Sequence, residues 1–216
     1  MWEFAVLPEL QKIYKDSLIN LYLYGGQVYG IRNKLSDFDY IAVVNDAAIR
    51  NKTTDEHVVF EAGGEKHDVN VYSDGFFKRQ IIAHEISALE CIFLPEPMVI
   101  KKAADYTFEL DLGKLRESIA AKSSHSFVKA RKKLRFGEIY IGKKSMWHSF
   151  RIIHFGIQIA KYGKIVDYAA ANYLYNDIVL NERNDEDYYK EIYLHLHNEL
   201  MTEFRKLAPK KEAKIK

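Results

Sequence analysis

The spacing of apolar residues changes character partway along the chain. Up to about residue 102, short apolar runs alternate with glycines and polar turns; from Asp111 onward the apolar positions recur at helical spacing. In the first part, Leu10, Ile13, Tyr14 and Leu18 predict a short amphipathic helix opened by Pro8. Residues 21–24 read as a strand stopped by Gly25 and Gly26. Residues 38–44 form a continuous apolar run, the mark of a strand buried on both faces. Short β-rich runs at 58–60 and 68–72 flank Glu61-Ala-Gly-Gly-Glu65, which predicts a hairpin. Ser73 or Asp74 is expected to cap a long helix reaching about Phe93, ended by Pro95 and Pro97, with a short strand near 98–101.

In the second part, Asp111 is the expected N-cap of a helix with Leu115, Ile119, Phe127 and Leu134 on one face and Gly137 as its stop. Further helices are expected from near Ser145 to Gly163, over about 167–175, and over about 184–207. Strands first and helices after predict an α+β chain: a small mixed β-sheet domain with packed helices over 1–105, then a helical domain over 106–208. The last stretch, 209–216, reads as a disordered basic tail.

Composition is that of an ordinary globular protein, with 48% hydrophobic and 29% charged residues, 15 Tyr and 12 Phe. The formal net charge of +2 neither demands nor excludes a nucleic-acid partner. Lysines and arginines concentrate between residues 122 and 144. The single cysteine, Cys91, rules out a disulfide framework within the chain and reads as a small core residue. The N-terminus lacks a signal-peptide pattern, and no apolar run is long enough to span a bilayer, so a cytoplasmic setting without membrane partners is expected.

The chemistry concentrates in Leu23-Tyr-Gly-Gly-Gln-Val-Tyr-Gly-Ile-Arg-Asn-Lys-Leu-Ser-Asp-Phe-Asp-Tyr40. Strand alternation points Asp37 and Asp39 the same way, roughly 7 Å apart, with Phe38 and Tyr40 opposite. Two carboxylates on one face of an apolar strand repel, and burying them unpaired costs several kcal/mol or forces protonation. A divalent cation removes the conflict, and Mg²⁺ favours carboxylates together with substrate phosphates. Asp68, in His67-Asp-Val-Asn-Val-Tyr72, supplies a third carboxylate if its strand pairs beside the first. Three converging carboxylates suit a two-metal site for phosphoryl or nucleotidyl transfer. Gly25 and Gly26 let the backbone approach phosphate oxygens closely.

The spacing Gly-Gly-x9-Ser36-Asp37-Phe-Asp39, followed by Asp68-Val-Asn-Val, resembles the signature of the DNA polymerase beta-like nucleotidyltransferase superfamily. The branch it looks most like is the RNA-repair-pathway nucleotidyltransferases of bacteria and phages. His84-Glu-Ile-Ser-Ala-Leu-Glu-Cys-Ile-Phe-Leu-Pro95 and Trp147-His-Ser-Phe-Arg151 carry that narrower likeness. The resemblance implies a Mg²⁺-dependent enzyme, with two ions and Mn²⁺ as a substitute. It would move a nucleoside monophosphate from an NTP, with ATP the expected donor, to a hydroxyl acceptor such as an RNA or tRNA end, releasing pyrophosphate. It also implies Asp37, Asp39 and Asp68 as metal ligands and catalytic residues, and Gly25, Gly26 and Ser36 around the nucleotide. Gly26 stands where the superfamily carries serine; losing that hydroxyl's bond to phosphate costs about 0.5–1.5 kcal/mol. The alternative is therefore a weakened nucleotide- or RNA-binding module, or a toxin-antitoxin-type enzyme acting on a protein or tRNA.

Other residues admit two readings. Lys122, His125, Lys129 and Lys132 share a helical stripe that is either a solvated face or a phosphate-binding one. Lys129 and Lys133, with His148 and Arg151 one helical turn apart, are candidates to assist the triphosphate or acceptor, or are structural. Arg32 and Lys34 in the loop are either phosphate contacts or solvated charges. Glu90 is a candidate buried partner for a basic residue. Tyr188, Tyr189 and Tyr193 are expected in the core, and the off-face His195 and His197 are not expected to form a zinc site.

Overall fold

A computed structural model describes residues 3–32, 36–49 and 55–210. The chain folds as two compact units, Met1–Ile82 with Ser87–Glu109, and Ala83–Ile86 with Leu110–Lys216. The first contains a five-stranded mixed sheet and the second is helical, giving an α+β protein. Among the described residues, no helix is long and apolar enough to cross a membrane. Most of the expected basic tail lies outside the described residues, as does Lys34.

In the sheet, β1 (Leu18–Tyr24), β2 (Phe38–Val44), β3 (Asp55–Ala62), β4 (Glu65–Ser73) and β5 (Val99–Lys102) lie in the order β3-β4-β2-β1-β5. Among the described residues, only β2 and β4 pair in parallel. The apolar run of β2 is buried on both faces, with Tyr40, Ile41 and Val43 each at most 1% exposed. The β3–β4 hairpin turns through Gly63 and Gly64, both at positive φ, as the glycine turn predicts. Helix α1 (Glu3–Tyr14) packs on β1 and β5, and α3 (Asp74–Ile82) packs on β2 and β4. A single helical turn, α2 (Gly26–Tyr29), joins β1 to the loop before β2.

The observed elements correct several expectations. Pro8 does not open α1 but lies inside it. The backbone bond that proline forgoes is offset by burial of Val6 and Leu10, both fully enclosed. The long helix expected over 74–93 is two, α3 and α4 (Ile86–Ile92). The break falls at His84, which takes a positive φ of 61° and buries its ring. Its Nε2 accepts the backbone N–H of Asp111 at 2.9 Å, a long-range bond that periodicity cannot reveal.

In the helical unit, Asp111 caps α5 (Leu112–Arg135) by accepting from the N–H groups of Gly113 and Lys114. Helix α6 (Ile139–Tyr162) begins six residues ahead of the expected Ser145. Gly142 belongs to the helix because a side chain there would meet Leu134 at 2.7 Å; the glycine marks a close approach to α5, not a break. The helix expected over 167–175 is instead a turn, a 3₁₀ segment over Asn172–Leu174 and α7 (Tyr175–Val179). Asp167 bonds the N–H of Ala169, and Gln158 holds the N–H groups of Val166 and Asp167. Helix α8 (Glu186–Leu207), capped by Asp185, buries Tyr189 and Tyr193 and packs on α5 and α6. His197 is enclosed between Phe127 and Phe150, bonded to the Ser123 hydroxyl, and burial pushes its pKa down to about 4, so it is neutral. His195 lies exposed beside Glu199.

Asn20 is a fully buried polar residue that the pattern did not single out. Its amide donates to Ala104 O and Tyr22 Oη, and its carbonyl accepts the N–H groups of Ala103 and Ala104. It thereby fixes the chain as it leaves β5 against β1. Asn20→Ala strands those buried groups, and urea unfolding is expected to show a loss of about 3 kcal/mol.

Candidate active site

The parallel pairing of β2 and β4 sets Asp39 directly beside Asp68, with Phe38 beside His67. In-register neighbours on parallel strands present side chains to the same face, so Asp39 and Asp68 share it. Asp37 lies just ahead of β2, two residues before Asp39. Its Oδ2 accepts from Lys66 Nζ at 2.6 Å, and Lys66 lies two residues ahead of Asp68. The Lys66 pKa is raised, first by the hydrogen bond and charge of Asp37, then also by the charges of Asp68 and Asp39. All three carboxylates therefore act on one ammonium. Asp68 Oδ1 also contacts His57 Nε2 at 2.6 Å, from the neighbouring β3.

The glycine turn abuts this cluster. Gly25 has φ 72° and ψ −150°, a conformation essentially restricted to glycine. A Cβ at Gly25 would lie 2.0 Å from Asp39 Oδ2 and 2.8 Å from its Cβ. The absent side chain is the space the Asp39 carboxylate uses. Gln27 fastens the turn to the strands, its amide donating to the carbonyl oxygens of Tyr24 at 3.1 Å and Asp39 at 2.6 Å. Gly26 is under no comparable constraint: a Cβ there would meet nothing closer than 3.6 Å. Ser36 is half-buried immediately ahead of Asp37.

The opposite face of the same strands is an aromatic row. His67 stacks against Phe38, Tyr40 and Phe60, with centroids 5.3–5.6 Å apart. Its Nδ1 lies 3.0 Å from Tyr40 Oη. The Arg32 guanidinium caps the row, 3.8 Å above the Phe38 ring, and reaches Glu65 at 3.3 Å. This supports a packing role for Arg32.

A divalent cation fits the donor set: the carboxylate oxygens of Asp37, Asp39 and Asp68 are hard ligands, and a cationic ammonium already sits in their field. As they stand, though, the carboxylates are engaged by Lys66 and His57, and no group of three or more acidic, histidine or cysteine side chains among the described residues is arranged to hold a metal ion. Lys66 and His57 were missed by sequence reasoning. Lys66 was legible, being two residues from Asp68 on one strand; His57 depends on the hairpin register.

The remaining predicted site residues belong to the helical unit. Lys129 is exposed on α5, and Lys133 pairs with Glu138 at 2.6 Å. Arg151 is only 1% exposed, lies over the Phe155 and Trp147 rings, and places Nη2 2.6 Å from His148 Nδ1. As it stands, Arg151 is buried and does not present its guanidinium to a surface phosphate. Burial, then the Arg151 charge, holds the His148 pKa well below the ordinary histidine value. Glu90 is buried and accepts from the Tyr29 phenol at 2.5 Å.

No family model matches the sequence, and no curated protein matches it. Among solved structures, a nucleotidyltransferase-like protein from Exiguobacterium sibiricum 255-15 is similar, at 12% identity and a TM-score of 0.40, over 96% of this chain and 78% of that one.

Two predictions follow from this geometry. Gly25→Ala is expected to destabilise the protein by about 2–4 kcal/mol from backbone strain and overlap. In an Asp39→Ala background the penalty shrinks by more than the error of a double-mutant cycle, about 0.5 kcal/mol; equal penalties would mean that the contact is not the cause. Lys66→Gln is expected to tighten Mg²⁺ or Mn²⁺ binding in calorimetry without nucleotide, by up to about fivefold, the strength of an exposed ion pair.

Proposed function

We propose that this chain is a metal-dependent nucleotidyltransferase whose active site is the carboxylate cluster of Asp37, Asp39 and Asp68 beside Gly25 and Gly26. The observation carrying this reading is the in-register pairing of Asp39 with Asp68, with Asp37 and the Lys66 ammonium at the same end of the strands. Three acidic groups at adjacent strand ends repel unless cations lie between them. Asp37, Asp39 and Asp68 would hold Mg²⁺, which supplies a Lewis acid for phosphate oxygens and lowers the pKa of an attacking hydroxyl.

The reaction assigned is attack of an acceptor hydroxyl oxygen on the α-phosphorus of an NTP. The new O–P bond forms as the bond from the α-phosphorus to the α–β bridging oxygen breaks; the hydroxyl proton leaves to solvent, and pyrophosphate departs with the electron pair. Gly25 contributes room: without a side chain it leaves Asp39 against the turn and the backbone open to phosphate. Gln27 keeps that turn in place through Tyr24 O and Asp39 O. Lys66, which pairs with Asp37, would be free to contact phosphate oxygens if a metal ion took the carboxylates. ATP is the proposed donor and an RNA end the proposed acceptor.

A second reading has its own observation. Lys66 and His57 already engage two of the carboxylates, and Gly26 provides no hydroxyl, which favours a module that binds nucleotide without turnover. Pyrophosphate release from labelled NTPs with total RNA and protein as acceptors separates the two. Mg²⁺-dependent release is expected, abolished in Asp37→Asn and Asp39→Asn with the unfolding transition retained. Turnover persisting in either variant defeats the assignment, and calorimetric ATP binding without product at any acceptor favours the second reading.

A further inference from the structure

The cations of α5 and α6 fall into two groups. Arg131 and Arg135 both pair with Glu186, Lys133 pairs with Glu138, and Lys122 reaches Glu85 at 3.5 Å. Among the described residues, no carboxylate pairs with Lys129, Lys132 or Lys144. The unpaired three are not scattered. Lys122, His125, Lys129, Lys132 and Phe136 follow spacings of three, four, three and four, which is one stripe of α5 extended to its C-cap. All five are exposed.

The packing of α6 sets a second stripe beside this one. The Ser123 hydroxyl bonds Ser149 O at 3.0 Å, and Gly142 approaches Ala130 and Leu134, so the helices run antiparallel. That register places Lys122, His125 and Lys129 level with Arg151, His148 and Lys144. Consistently, Lys122, Lys129 and Lys144 all bear on His148 and lower its pKa. His148 is neutral, and because a guanidinium only donates, its Nδ1 accepts from Arg151 and the proton sits on Nε2. The face thus carries three uncompensated lysines and a fixed imidazole. At its hairpin end stand Phe136, 67% exposed, and Tyr140, 52% exposed, with Lys144 lying 5.4 Å over the Tyr140 ring.

We propose that this face of the α5–α6 hairpin binds single-stranded nucleic acid. Lys129, Lys132 and Lys144 take the phosphates, and Phe136 and Tyr140 take bases by stacking. Lysines track a phosphate backbone, whereas exposed rings give every base a surface to lie on. An acidic peptide would use the charge but not the rings, and a duplex hides its base faces. The face belongs to the helical unit and the carboxylate cluster to the sheet unit, and the inference does not rest on the cluster's assignment.

The test is fluorescence anisotropy of the full chain with a labelled 15-nucleotide RNA, the same sequence as DNA, its duplex, and poly-glutamate, in EDTA and without nucleotide. Single strands are expected to bind tighter than duplex or poly-glutamate. RNA above DNA means that the 2′-hydroxyl is read, and equal affinity means a general single-strand site; both support the proposal. Lys129→Glu/Lys132→Glu/Lys144→Glu is expected to weaken binding by tenfold or more, and to lower the salt slope by about 2. Phe136→Ala and Tyr140→Ala should each cost about fivefold or more. These positions are exposed, so circular dichroism and melting should be unchanged. Undiminished binding by the triple variant, insensitivity to both aromatic changes, or poly-glutamate binding as tight as RNA overturns the proposal. Pyrophosphate release scores the carboxylate site separately: a chain that binds RNA here yet transfers nothing keeps this inference and loses the other.

Discussion

Like charges brought together by strand pairing have to be neutralised, and that requirement organises the sheet unit. Pairing β2 with β4 in parallel places Asp39 against Asp68, and the register that does so also stacks Phe38 on His67 across the other face. The two faces are inseparable, because slipping the strands by one residue would bury the carboxylates and expose the rings. The aromatic row, capped by Arg32, therefore holds the acidic cluster in place. Lys66 supplies a local counter-charge and His57 a hydrogen-bond partner, each from the strand or hairpin that the same register fixes. Exposed ion pairs of this kind are weak, so they satisfy the carboxylates without locking them.

Much of this was legible in the sequence because it rests on local chemistry. Alternation put Asp37 and Asp39 on one side, the glycine-containing turn gave the β3–β4 hairpin, and Asp111 announced its helix. What escaped was set by contacts far apart in the chain. His84 breaks a helix whose apolar spacing runs on unbroken, because its ring is needed by the backbone of Asp111. Asn20 reads as an ordinary polar residue in a strand until the exit from β5 is laid against it. Helix α6 starts ahead of the expected Ser145 and takes in Gly142, where two helices come too close for a side chain. The pairing of β2 with β4, on which Asp68 depends, could be stated only as a condition.

In the helical unit, sequence spacing found the cationic stripe but not its meaning, since spacing cannot tell a compensated charge from a bare one. Arg151 was the attractive phosphate ligand by residue type, yet it is enclosed, and its contribution is to set the tautomer of His148. Lys129, Lys132 and Lys144 carry no carboxylate partner among the described residues, whereas Lys122 on the same stripe reaches Glu85, so the division between paired and unpaired cations is more informative than the total charge. Phe136 and Tyr140 matter for the same reason: a solvated lysine needs no explanation, whereas two large rings left in water beside three bare lysines expose apolar area that association would cover.

The two glycines of the motif differ in what the fold asks of them. Gly25 is compelled twice over, by its backbone angles and by the Asp39 carboxylate occupying the space of a side chain. Gly26 is compelled by neither, since a Cβ there finds only ordinary contact with Arg32. A hydroxyl at this second position is thus absent without any steric demand, and the backbone could accept one. Packing around Asp39 fixes the first glycine but not the second, so a serine at position 26 would add one hydroxyl, altering affinity for a phosphate by a modest factor and leaving the carboxylate geometry intact.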